Sequence, residues 1–276
     1  MINVLSFGDR ILPGDYRIHS RFREAVNFTA CGRMVCVVTG RVGGGPINIA
    51  VSGLDFSGLL SLRVREDSCA VDGAALPRAP LYDSGLPAGD GVDISRARRN
   101  LRGLEKLVVK LSHPKSLAFL LDDGRRRHFS SGFESALVAK AQAAARDFRR
   151  GDAAAGARAM RGAGFGLTPS GDDFLAGWLW GLHARQRLDG GDVSAEIEKI
   201  YASGRTEHPL SAAFLRCARE GRYFERLRNL LAALLYGGEP QVARRAGELL
   251  AVGETSGADM SVGFLMALRK EAGVWS

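Results

Sequence analysis

Two short stretches of this sequence bring together the acids and hydroxyls that could do chemistry. The first is Thr168-Pro-Ser-Gly-Asp-Asp-Phe-Leu-Ala-Gly177 and the second is Thr255-Ser-Gly-Ala-Asp-Met-Ser-Val-Gly263. Aligned on Ser170 and Ser256, they repeat Ser, Gly, Asp and Gly at the same spacing, with a threonine just upstream. Each reads as the start of a helix. A serine at the N-cap followed three residues later by an acid resembles a capping box, and acids there complement the helix dipole. Downstream of both starts the chain is uncharged and apolar, so each helix is expected to be core. If the helices cross at Gly177 and Gly263, their N-termini meet. Asp173 and Asp259, with free N–H groups, would then line one pocket. The competing reading is two unrelated capping boxes on ordinary core helices. The repetition of the pattern favours a shared site.

The elements that must position these starts lie in the second half. From Phe133 the pattern is helical: an alanine-rich helix to about Arg150, a short one from Asp152 to about Arg161, then the glycine loop and the first motif helix. Helices over Val193–Ala202, from Pro209, Tyr223–Tyr236 and Pro240–Val252 precede the last one at Ser256. Thr206 and His208 stand before the helix that begins at Pro209 and are placed on the same pocket. The first half reads as strands: Arg33–Thr39, Ile47–Ser52, Leu59–Val64, Cys69–Val71, Lys106–Ser112 and Ser116–Leu121. Phe22–Phe28 fits a short helix or an edge strand. Gly43–Gly45 reads as a hairpin loop, since no Gly-Lys-Ser/Thr follows to make a phosphate cradle. Pro77–Gly91 is loop, and Asp122-Asp-Gly124 is a turn. The expected fold is α+β, with an antiparallel β-rich domain over 1–130 and an all-helical bundle over 131–276.

The 276 residues carry a net charge of +8, mostly from arginine, which reads first as a solvated basic surface and otherwise suits nucleic acid, an acidic membrane surface or small anionic substrates. Nucleic acid is disfavoured because no recognition motif appears and aromatics do not interleave with the basic clusters. No apolar run is long enough to span a bilayer, and the first residues lack the pattern of a secretory signal. The four cysteines have neither CxxC spacing nor nearby histidines, so zinc and a disulfide framework are not indicated. These features place the expected protein in the cytoplasm.

Gly166-Leu-Thr-Pro-Ser-Gly-Asp-Asp-Phe-Leu-Ala-Gly177 resembles the signature of the AllH-like family. Thr255-Ser-Gly-Ala-Asp259 is similar to that family's second signature, and Thr206, Ser211 and Gly221 to the intervening one. In the first half the resemblance rests on Asn27-Phe28 and the Gly-Pro-Ile-Asn-Ile run near residue 45. It implies a subunit of oxamate carbamoyltransferase, a multi-subunit enzyme of anaerobic allantoin breakdown in purine catabolism. That enzyme transfers a carbamoyl group between oxalurate and phosphate, giving oxamate and carbamoyl phosphate. On this reading Asp173 and Asp259 bind the ligand's N–H groups and are catalytic. Thr168, Ser170, Gly171, Asp172, Thr206, Ser256 and Gly257 bind substrate. The acids leave two options. They hold a divalent ion such as Mg that bridges to phosphate, or they accept N–H bonds from the carbamoyl group without a metal. Two other functions compete: a non-catalytic assembly subunit whose acids only cap helices, and a metal-assisted hydrolase of a small carboxylated amide.

Overall fold

The computed structural model describes residues 2–87, 89, 91–164, 166 and 168–269. Phe165 and Leu167, in the middle of the glycine loop before the first motif, lie outside them. The described residues form two compact units, one within 2–86 and 222–228 and one within 87–221 and 229–269.

In the first unit nine strands form one sheet: β1 (Asn3–Gly8), β2 (Gly14–Arg21), β3 (Ala25–Ala30), β4 (Arg33–Thr39), β5 (Asn48–Ser52), β6 (Ser61–Val64), β7 (Cys69–Val71), β8 (Ala74–Ala75) and β9 (Leu81–Tyr82). Their order across the sheet is β8-β7-β6-β2-β3-β4-β5-β1-β9. The core gathers Tyr16, Val26, Phe28, Val35, Val37, Ile49, Val51 and Leu62. Residues 25–28 of the stretch expected as a helix or edge strand belong to β3, at the centre of the sheet between β2 and β4. Most pairings are antiparallel, but β4 and β5 run parallel. The Gly43–Gly45 segment is therefore not a hairpin loop: it belongs to a crossover that carries the chain back to start β5 in the same direction. The expected loop Pro77–Gly91 contributes β9, which pairs in parallel with β1.

Residues 222–228 join this unit through polar contacts. Tyr223 N–H donates to Ser84 O at 2.8 Å, Glu225 N–H to Gly44 O at 3.0 Å and Arg228 Nε to Gly85 O at 2.9 Å. The Glu225 carboxylate in turn accepts the Gly44 N–H.

The second unit is helical: α1 (Ile94–Leu111), α2 (Gly132–Arg149), α3 (Ala153–Met160), α4 (Ser170–Asp189), α5 (Ser194–Gly204), α6 (Pro209–Arg219), most of α7 (Glu225–Tyr236), α8 (Glu239–Leu250) and α9 (Ser256–Arg269). The strands expected over 106–112 and 116–121 are not there. Residues 94–111 are helix, and Leu117–Leu120 is a 3-10 turn. The reason lies in the longer period: Ala97, Leu101, Leu104 and Val108 bury one helical face, and the Asp93 side chain caps the start by accepting the Arg96 N–H. That outweighs the local β-branched content of Leu107-Val-Val109.

Helix α4 is buried from Ser170 through Leu182, and α9 from Gly257 through Leu268. They lie side by side and parallel, with partners advancing together along both axes. A Cβ on Gly177 would stand 2.0 Å from Met260 O, one on Gly263 2.0 Å from Phe174 O, and one on Gly181 2.6 Å from Phe264 O. Real carbon–oxygen contacts are far longer, so only glycine permits this approach. On its other side α4 is fixed by Trp178, stacked on Phe148 with centroids 4.0 Å apart.

Candidate functional site

Parallel packing brings the two helix starts to the same end of the bundle, as their repeated sequence requires. The repetition extends to the supports behind them. A Cβ on Gly171 would lie 1.9 Å from Met160 O at the end of α3, and one on Gly257 2.0 Å from Leu249 O at the end of α8. Each motif thus rests its Ser-Gly step on the C-terminus of the preceding helix, and the α3–α4 and α8–α9 pairs are built alike.

Asp173 and Asp259 are 3% and 0% exposed. Thr168 Oγ1 donates to Asp173 Oδ2 at 2.9 Å and lies 3.2 Å from Ser256 Oγ, so a hydroxyl bridge links the two loops. Across the pair the hydroxyls are exchanged: Ser256, from α9, acts on Asp173, and Ser170, from α4, acts on Asp259 beside Thr255. The Leu117 N–H, from the 3-10 turn, donates to Asp259 Oδ1 at 2.6 Å. Asp259 Oδ2 is fully buried with no hydrogen-bond partner among the described residues. Sequence reasoning missed this third element, because nothing in Ser116-Leu-Ala-Phe marks a backbone N–H that points at a carboxyl.

Both acids hold their protons far more firmly than ordinary aspartates. Burial raises Asp173 to about 8, helped by the negative charges of Asp259 and Asp172 and opposed by the Ser256 and Thr168 hydroxyls. Burial raises Asp259 to about 7, opposed by the Leu117 N–H and the Ser170 and Thr255 hydroxyls. Two carboxylates in a dry site cannot both stay charged without a cation, so near neutral pH the pair keeps a proton. Among the described residues no group of three or more His, Cys, Asp or Glu side chains is placed to hold a metal ion.

The other expected residues are placed as follows. Ser170 is the first residue of α4 and Pro169 its N-cap, with no side-chain cap bond, so the capping box expected there does not form. The hydroxyl serves Asp259 instead. Asp172 accepts the Gly162 N–H at 2.8 Å, closing the loop after α3. The N–H groups of Gly171, Asp172 and Asp173 donate to Ala163 and Pro169 carbonyls, and those of Gly257 and Asp259 to Val252 and Thr255. These five amides are engaged by the backbone and are not free to meet an anion. Thr206 accepts the His208 N–H at 3.2 Å, and His208 accepts the Ser211 N–H as N-cap of α6, so both are engaged in their own turn. His113 pairs with Glu254 at 3.4 Å beside the second motif.

What this arrangement can do follows from its parts. It offers two buried carboxyls whose pKa values lie near neutral, and rotatable hydroxyls able to donate or accept. Thr255 and Ser256 are only half-buried, so the pair lies just behind the surface of the α9 start. No curated protein and no solved structure matches the chain. Residues 160–268, from the end of α3 through α9, match the family model described as oxamate carbamoyltransferase subunit AllH, so the resemblance drawn from the two motifs holds for the segment that carries both acids.

Proposed function

We propose that this chain is a subunit of a carbamoyltransferase and that its substrate is held at the paired starts of α4 and α9, against Asp173 and Asp259. The observation that carries the reading is the buried pair itself, with hydroxyls exchanged across it. A proton-sharing pair at near-neutral pKa is costly in a core and suited to proton transfer. In the direction from oxalurate, a phosphate oxygen attacks the carbamoyl carbon and the C–N bond to the oxamate nitrogen breaks. One carboxyl of the pair donates a proton to that nitrogen, and the other, as carboxylate, takes the proton of the phosphate. The two acids then restore their starting state by passing one proton between them. Thr168, Ser170 and Ser256 orient the carbamoyl group, and no step requires a metal. Other subunits complete the enzyme, and oxalurate, oxamate and carbamoyl phosphate are the ligands the reading names.

One observation favours a second reading, an assembly subunit whose acids only join helices: Asp172 and Asp259 each accept a backbone N–H from a neighbouring segment. Phosphorolysis of oxalurate by the complex purified through this chain separates the two. With Asp173→Asn the transfer reading expects turnover to fall by about 10²–10⁴-fold, the usual worth of a general acid or base, with the complex intact. Unchanged turnover in an intact complex would favour assembly.

A further inference from the structure

The two acids share a sequence pattern but not a set of partners, and the difference assigns their roles. Asp173 is met by hydroxyls, those of Thr168 and Ser256. A hydroxyl rotates, so it donates to a carboxylate or accepts from a carboxylic acid at little cost. Asp259 is met by hydroxyls too, those of Ser170 and Thr255, and in addition by the N–H of Leu117 at 2.6 Å, with both Leu117 and Asp259 buried. An amide N–H only donates, and a short bond to it strengthens when the acceptor is charged.

We propose that the Leu117 N–H fixes the negative charge on Asp259, which makes Asp259 the base of the pair and leaves the shared proton on Asp173, the acid. Acid and base are named on the carbamoyl-transfer reading, whereas the order of ionisation does not depend on it. The Oδ2 of Asp259, buried and without a hydrogen-bond partner among the described residues, is then the oxygen that takes the proton up. The 3-10 turn of residues 117–120 is a positioning element, and it is firmly held. Ser116 Oγ caps the turn and lies 3.2 Å from Ser112 Oγ. Arg125 Nη2 in turn donates to Ser112 O, Ser112 Oγ and His113 O at 3.0, 3.1 and 2.9 Å.

The other charged groups around the pair do not reverse the assignment. Asp172, on α4, adds negative charge that raises Asp173. His113 and Glu254 pair with each other at the start of α9, Lys115 pairs with Glu134, and Glu248 of α8 with Arg244 and Arg245. Glu105 of α1 pairs with Arg269 at the far end of α9.

Carboxyl ¹³C NMR titration of two variants without substrate tests the assignment. Asp259 in the Asp173→Asn chain is expected to ionise at least about one pH unit below Asp173 in the Asp259→Asn chain, a tenfold difference in ionisation constant. Equal midpoints, or the reverse order, would overturn it. The N–H itself is removed by Leu117→Pro in the Asp173→Asn background. Proline is tolerated at the first position of a helical turn, and Ser116 already has the extended backbone, φ −78° and ψ 167°, that a following proline demands. Leu117→Pro should raise the Asp259 midpoint by about one pH unit, and Leu117→Ala, which loses a side chain but keeps the N–H, should leave it in place. Equal effects of the two would overturn the role of the N–H. If Leu117→Pro fails to fold, the comparison of the two asparagine variants still decides. Since neither readout uses substrate, an enzyme complex inert towards oxalurate would sink the reaction and leave the charge assignment standing.

Discussion

At the scale of the residue, the site comes down to two aspartates that keep protons in a place built for them. The direct thermodynamic consequence is a pH effect on stability. An aspartate whose pKa rises from 3.8 to about 8 on folding, as Asp173's does, binds more protons folded than unfolded between those values. Its stabilising contribution is complete below about pH 4 and is lost as pH rises through the folded value. Asp173→Asn keeps the shape without the titration. Relative to the native chain it should gain stability on going from pH 5 to pH 8.5, by a few kcal/mol, because a tenfold change in proton affinity is worth about 1.4 kcal/mol. Urea unfolding at both pH values measures this, and a difference that does not change with pH would contradict it. The two acids were legible as a pair because the Ser-Gly-x-Asp…Gly spacing repeats. The role of Ser170 was misread as a cap, because the carboxyl its hydroxyl serves lies on a second helix, and spacing within one helix does not reveal a partner on another.

At the scale of the element, the two acids meet only because α4 and α9 approach backbone to backbone. Gly177→Ala or Gly263→Ala would force the helices apart and should cost about 3 kcal/mol, the upper range for overpacking. Gly103, in α1, has nothing within 4 Å of an added Cβ. Gly103→Ala should therefore stabilise, by up to about 1 kcal/mol, through helix propensity and the unfolded chain. Denaturation midpoints of the three variants test both signs together, and equal costs for Gly103→Ala and Gly177→Ala would refute the close approach. The glycines at one-turn spacing made this crossing legible from sequence. The 94–111 helix was not, because Lys106-Leu-Val-Val-Lys-Leu111 taken alone has the composition of a strand and its helical period shows only from Ala97 onward. The parallel β4–β5 pair was also hidden: a glycine-rich stretch between two strands has the same composition whether it turns the chain back or carries it over.

At the scale of the whole molecule, the chain makes two units and returns to the first one late, through residues 222–228. Glu225 ties that return to the glycine-rich crossover by accepting the Gly44 N–H. Glu225→Ala leaves that donor without its partner. It should cost about 1–3 kcal/mol and speed hydrogen exchange at Gly43–Gly45 before other parts of the sheet. Unchanged exchange there would show that the tie is not needed. A boundary of this kind cannot be read from composition, since seven residues of a helix-forming stretch belong with strands more than 130 residues earlier. The family match covers the segment between α3 and α9 that builds the paired helix starts, and there the sequence was most explicit.

Whether the paired acids hold substrate is decided by calorimetric titration of oxalurate into the purified chain and into its Asp173→Asn and Asp259→Asn variants near pH 7. Saturable binding to the native chain is expected, with at least about tenfold weaker binding to each folded variant, the worth of one hydrogen bond to an ionisable group. Native affinity in both variants would place the substrate elsewhere and reduce the two acids to structural ties.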